Sequence, residues 1–83
     1  SHTVGTVDVS GAGRIRVDWN EPHGDRDGDV HIQGKGRDAP KFKGLRSPED
    51  LQNVSNKAIR ENAEIQRLVK KAFEMLERLK AGQ

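Results

Sequence analysis

The chain has 83 residues, of which 31% are apolar and 34% charged, with a formal net charge of +2 and no cysteine. That length accommodates one domain with a modest core, and the absence of thiols excludes disulfide staples, a cysteine nucleophile and cysteine-based zinc sites. No apolar run approaches the ~20 residues that span a bilayer, and no signal-peptide pattern is present, so no membrane partner is expected.

Ser1-His2 has the look of a remnant of a cleaved tag, and His2 is assigned no role. Full disorder is excluded by nearly cancelling charge, periodic apolar residues and the lack of low-complexity tracts. The charges are unevenly placed. Five acids (Asp18, Glu21, Asp25, Asp27, Asp29) face one arginine between residues 18 and 29, and five bases (Lys35, Arg37, Lys41, Lys43, Arg46) face Asp38 between 34 and 46. An acidic loop thus adjoins a basic one, which is either a solvated surface or a polyanion contact.

Thr3 to Val9 is expected to form a strand with Val7 and Val9 on one face, and Ser10 to Gly13 a turn. Gly13 to Trp19 alternates: Ile15, Val17 and Trp19 face one way, Arg14, Arg16 and Asp18 the other. Asn20 to Gly28 is a polar loop. Asp29 to Gln33 is a third strand, with Val30 and Ile32 opposite Asp29, His31 and Gln33. Gly34 to Arg37 is a turn. Pro40 to Gly44 is a short edge strand that points Phe42 inward and Lys41 and Lys43 outward, with Pro40 tolerated at its start.

From residue 47 the pattern is helical. The Ser47 hydroxyl suits an N-cap, Pro48 the first helical position, and Glu49 and Asp50 the positive end of the dipole. Leu51, Val54, Ala58, Ile65, Leu68, Ala72, Met75 and Leu79 recur at three- and four-residue steps. Glu61 interrupts that stripe and Ser55-Asn56 offers a break, so either one long helix or a short one followed by a long one is expected, with Gly82 as C-cap.

The fold class is therefore α+β within a single domain, 1–83. A small, mostly antiparallel sheet of three to four strands (1–46) packs against a long C-terminal amphipathic helix (47–82). Only that helix can cover the apolar sheet face of Val7, Val9, Ile15, Val17, Trp19, Val30, Ile32 and Phe42. The opposite face stays open and carries Arg14, Arg16, Asp18, His31 and Gln33. The last turns, with Phe73, Leu76 and Leu79, either complete the core or overhang as a surface for self-association.

The chemistry-bearing segment runs from Trp19 to Gly34 and holds His23 and His31. Metal-independent RNA cleavage needs a base for the 2′-hydroxyl, an acid for the leaving 5′-oxygen and cations for the phosphate. His31 can serve as base or acid, with His23 or Asp29 as its complement. Arg14, Arg16, Lys35 and Lys41 can hold phosphate. That chemistry requires no cofactor and no metal.

A metal site competes. His23, Asp25, Asp27, Asp29 and His31 recur at every second residue, which on an extended strand would place all five on one side. A calcium loop fits less well, because Val30 stands where it needs glycine and Gly36 where it needs a bidentate glutamate. Gly34-Lys35-Gly36 is either a phosphate cradle or a plain hairpin turn. Trp19 is either core or a stacking platform.

Trp19-Asn20-x-Pro22-His23-Gly24, Gly28-Asp29-Val30-His31-Ile32, the Gly/Lys turn, Lys43-Gly44, and a closing helix with Asn62, Ile65 and Lys70-Lys71-Ala72 give the chain a family likeness. It resembles the C-terminal toxin tips of bacterial polymorphic toxins, the variable ends of Rhs-repeat and contact-dependent inhibition proteins. Many such tips carry His-x-His-Val where Asp29-Val30-His31-Ile32 stands, so the first histidine is an acid in this chain.

The resemblance implies a compact ribonuclease with a barnase- or colicin-like build that attacks tRNA or rRNA. It also implies a cognate immunity protein, delivery within a larger secreted or cell-surface protein, and action in the target-cell cytoplasm. The alternative is a non-enzymatic module that binds protein or nucleic acid through the amphipathic helix and the basic loop.

Overall fold

Two-residue alternation becomes a sheet when every strand can turn its apolar side the same way. In the computed structural model, which describes residues 1–82, β1 (His2–Val9), β2 (Gly13–Asn20), β3 (Asp29–Gly34) and β4 (Lys41–Leu45) form one sheet in chain order. Each neighbouring pair is antiparallel. Paired residues share a face. Val7 opposes Ile15, Val17 opposes Ile32 and Trp19 opposes Val30 on the core side; Thr6, Arg16 and Gln33 line up on the other.

Ile15, Val17, Val30 and Ile32 are completely buried, each worth roughly 1.5–3 kcal/mol of burial. Trp19 belongs to this core. The β1 strand begins one residue earlier than expected: His2 pairs with Trp19 in the ladder, and their rings stack with centroids 4.4 Å apart. His2 thus has a structural part after all.

The fourth strand departs from simple alternation. Between Val30 and Ile32 of β3 the partner register jumps from Leu45 to Phe42, so Lys43 and Gly44 together oppose His31. Gly44 takes φ +76° at this bulge, a value that side chains rarely adopt. The bulge returns Leu45 to the core side, where it is buried while Phe42 is only partly covered.

The C-terminal region is three helical pieces rather than one or two. A 3-10 segment (Pro48–Asn53) leads to a single turn, α1 (Lys57–Arg60), and a long helix, α2 (Ala63–Ala81). Two asparagines set the breaks. Asn56 Oδ1 accepts from the Ile59 N–H at 3.1 Å, and Asn62 Oδ1 from the Ile65 N–H at 2.9 Å. Each side chain satisfies a donor that a continuous helix would have used internally.

At the first start Ser47 and Asp50 form a capping box, the Ser47 side chain facing the Asp50 N–H and the Asp50 carboxylate reaching back to the chain before it. That carboxylate accepts from the N–H groups of Arg46 (2.8 Å) and Ser47 (3.2 Å). Gly82 is the C-cap, and its N–H donates to the Arg78 carbonyl at 3.0 Å. Ile65, Leu68, Val69, Ala72, Phe73 and Leu76 of α2 are buried. Phe73 and Leu76 therefore complete the core, and the anticipated overhang reduces to Leu79, 38% exposed.

The loop between β2 and β3 crosses α2 at Gly28. This residue has φ +84°, and a Cβ there would lie 2.5 Å from the Asn20 carbonyl oxygen and 3.0 Å from Leu76 Cδ2. Gly28→Ala is expected to destabilise the fold by about 1–3 kcal/mol through backbone strain and to displace the loop that carries His23. Urea unfolding of the variant measures this, and an unchanged midpoint contradicts the close approach.

Candidate functional site

Alternation leaves Arg14, Arg16, Asp18, Asn20, Asp29, His31 and Gln33 on the uncovered face. Its centre is Asp18, only 1% exposed and the single buried polar or charged residue among those described. Asp18 accepts from Thr3 Oγ1 at 2.8 Å, Arg16 Nε at 2.9 Å and Gln33 Nε2 at 3.1 Å. These donors come from three strands, and Asp18 pairs directly with His31 across the β2–β3 ladder. Its face was legible in the sequence; its burial was not, because the covering side chains come from neighbouring strands.

One step along the strands, Asn20 pairs with Asp29. The Asn20 amide nitrogen donates to Asp29 Oδ1 at 2.9 Å and lies 2.9 Å from His31 Nε2, while Asp29 Oδ2 lies 3.2 Å from the same Nε2. The two neighbours make opposite demands: the carboxylate only accepts and the amide nitrogen only donates. A proton on Nε2 satisfies Asp29, and Asn20 still serves Asp29 Oδ1. In that arrangement Nδ1 is the ring nitrogen left for proton exchange, and it bonds to none of the described residues. The side chains of His31 and Asp29 are 17% and 23% exposed, enough to reach a ligand while held in place.

Asn20, His23, Arg26, Asp29, His31 and Arg46 line one groove of about 590 Å³. The three expected catalytic residues thus share a groove. His23 sits in a tight reverse turn in which its N–H and carbonyl bond those of Arg26, both at 3.0 Å. That turn replaces the extended run on which the histidines and aspartates at alternate positions would have shared one side. Among the described residues, no three His, Asp or Glu side chains converge as metal ligands would.

The expected phosphate-binding residues lie elsewhere on the face. Arg14, Arg16, Lys35 and Lys41 line a second groove of about 520 Å³ together with Thr6 and Gln33. Two of its cations are already matched, Arg14 by Asp8 at 3.0 Å and Arg16 by Asp18 at 2.9 Å. Asn20, Arg26 and Arg46 were not expected at the site. Asn20 continues the alternation beyond Asp18, a signal the sequence carried; Arg46 reaches the groove only through the β4 bulge and the bonds of Asp50.

Glu21, also on the rim of the first groove, accepts from His2 Nε2 at 2.6 Å. That hydrogen bond, with the charge of His2 beside it, holds the Glu21 carboxyl below the usual glutamate range. A depressed carboxyl contributes stability while ionised and loses it as pH falls through its folded pKa; full exposure keeps the contribution small.

No protein-family model, curated protein or solved structure matches the chain.

Two outcomes test the site. Asp18→Asn places an amide donor where three donors converge, so it should lower unfolding free energy by roughly 1.5–3 kcal/mol; equal urea stability contradicts the burial. His2→Ala should raise the Glu21 carboxyl pKa toward the ordinary glutamate value, followed by carboxyl-carbon NMR titration.

Proposed function

We propose that the chain is a ribonuclease domain of the toxin-tip kind, cleaving RNA by histidine-based general acid–base chemistry without a metal. The observation that carries this reading is the Asp29–His31–Asn20 arrangement, in which Asp29 and Asn20 both meet His31 at Nε2 and the histidine lines a groove that also contains His23, Arg26 and Arg46.

Neutral His31 accepts the 2′-hydroxyl proton at Nδ1. The alkoxide attacks the adjacent phosphorus, and the bond to the 5′-oxygen breaks. His23 supplies the proton that this leaving oxygen needs. Arg26 and Arg46 offset charge on the crowded phosphate. Asp29 orients the His31 ring through Nε2. On this reading tRNA or rRNA is the substrate, and an immunity protein neutralises the domain by covering the open face. The domain arrives as part of a larger secreted or surface protein and acts in the target-cell cytoplasm.

A second reading rests on the separate cationic groove of Arg14, Arg16, Lys35 and Lys41, which suits a nucleic-acid-binding module without catalysis. The two diverge at His31. With purified protein and total cellular RNA, the nuclease reading expects discrete fragments. His31→Ala should then lose roughly 10²–10⁴-fold in rate, and Asp29→Asn should lose less. RNA that is bound but left intact by the parent protein favours the binding module.

A further inference from the structure

The separation of the two grooves says how much of a substrate the face engages. Strand residues on one face recur about every 7 Å. His31 and Gln33 are successive members of such a row, as are Asp18 and Arg16 on the next strand. The first groove lies at the His31 end and the second at the Gln33 end.

Each groove keeps cations without carboxylate partners. Among the described residues, Arg26 and Arg46 in the first groove and Lys35 and Lys41 in the second form no ion pair. Of the acids nearby, Glu21 pairs with His2, Asp29 with His31, Asp18 with Arg16 and Asp8 with Arg14, while Asp25 and Asp38 on the adjoining loops form no ion pair among the described residues. Two cationic grooves therefore lie along one sheet face, the first lined by His31 and the second by Gln33, one same-face strand repeat further on.

The bases have little to hold on this face. The aromatic rings of the chain other than histidine are Trp19, Phe42 and Phe73, and all three pack in or against the core. A sheet that grips single-stranded RNA through its bases does so with exposed aromatic platforms. This one has cations in their place.

We infer that the substrate is an RNA chain engaged through at least two backbone phosphates, the scissile one beside His31, Arg26 and Arg46, and a neighbouring one at Lys35 and Lys41. The inference rests on the nuclease reading. It makes the second groove a length-selecting subsite: a ligand with only the scissile phosphate leaves it empty.

The test compares kcat/KM for a dinucleoside monophosphate with that for a single-stranded RNA of roughly a dozen nucleotides, a length within the span of small single-strand-binding folds. The expected result is at least about a tenfold preference for the longer RNA, the scale of one added charge-assisted contact. Lys41→Gln should shrink that preference and reduce the salt dependence of binding by about one ion. Arg46→Gln should lower kcat/KM on both substrates and keep their ratio. Equal kcat/KM on the two substrates, or a preference that Lys41→Gln leaves intact, overturns the two-phosphate inference alone. Failure to cleave either substrate overturns the nuclease reading and this inference with it.

Discussion

A carboxylate almost sealed from water sits at the middle of a sheet face that, among the described residues, no other element covers. Burying a charge costs several kcal/mol unless donors surround it, and Asp18 has three, from Thr3, Arg16 and Gln33. Since Thr3 is on β1, Arg16 on β2 and Gln33 on β3, the arrangement is satisfied only when these strands are in register. A slip by one residue would send Asp18 into the apolar core and Val17 into water. Asp18 thus orders the polar face as the apolar residues order the other, and it holds the Arg16 guanidinium at a defined place in the second groove.

The site inherits its precision from that register. Asn20, Asp29 and His31 belong to strands rather than loops, so their mutual distances follow from the β2–β3 ladder. Strand-borne groups are held more closely than loop-borne ones. His23, Arg26 and Arg46 come from connections. Each connection is tied down locally: the first by the reciprocal backbone bonds of His23 and Arg26 and the close passage of Gly28 over α2, the second by Asp50 gripping the Arg46 and Ser47 N–H groups. The groove thus joins strand-borne Asn20, Asp29 and His31 to cations carried on anchored connections, an arrangement that suits the proposed anionic ligand.

Much of the fold was legible because alternation and helical periodicity report which side of each element is apolar. Ile15-Val17-Trp19 and Val30-Ile32 announce their faces, and antiparallel pairing of short strands joined by glycine turns follows. Local features were harder to read. The β4 bulge inserts one residue, so Leu45 and not Gly44 returns to the core side. The helix restarts at Asn62 because one amide oxygen outcompetes a backbone acceptor, a difference too small for periodicity to register. At the site, His31, His23 and Asp29 were identifiable by type and spacing, and the structure gathers them in one groove. Of the four cations expected to accompany them, Arg14 and Arg16 followed from alternation, which puts them on the face of His31, and Lys35 and Lys41 from charge. Neither face nor charge fixes a distance along the strands, and the structure places all four in a groove of their own. Asp18 hid among surface acids because burial is a property of its neighbours.

The central claim is that a histidine on this face moves the 2′-hydroxyl proton of RNA. The most direct measurement is the chemistry of the cut ends, read by mass spectrometry after purified protein acts on an RNA oligonucleotide and on its all-deoxy counterpart. The account predicts 2′,3′-cyclic phosphate and 5′-hydroxyl ends from the RNA and an untouched deoxy strand. Ends bearing 3′-hydroxyl and 5′-phosphate, or cleavage of the deoxy strand, would contradict it.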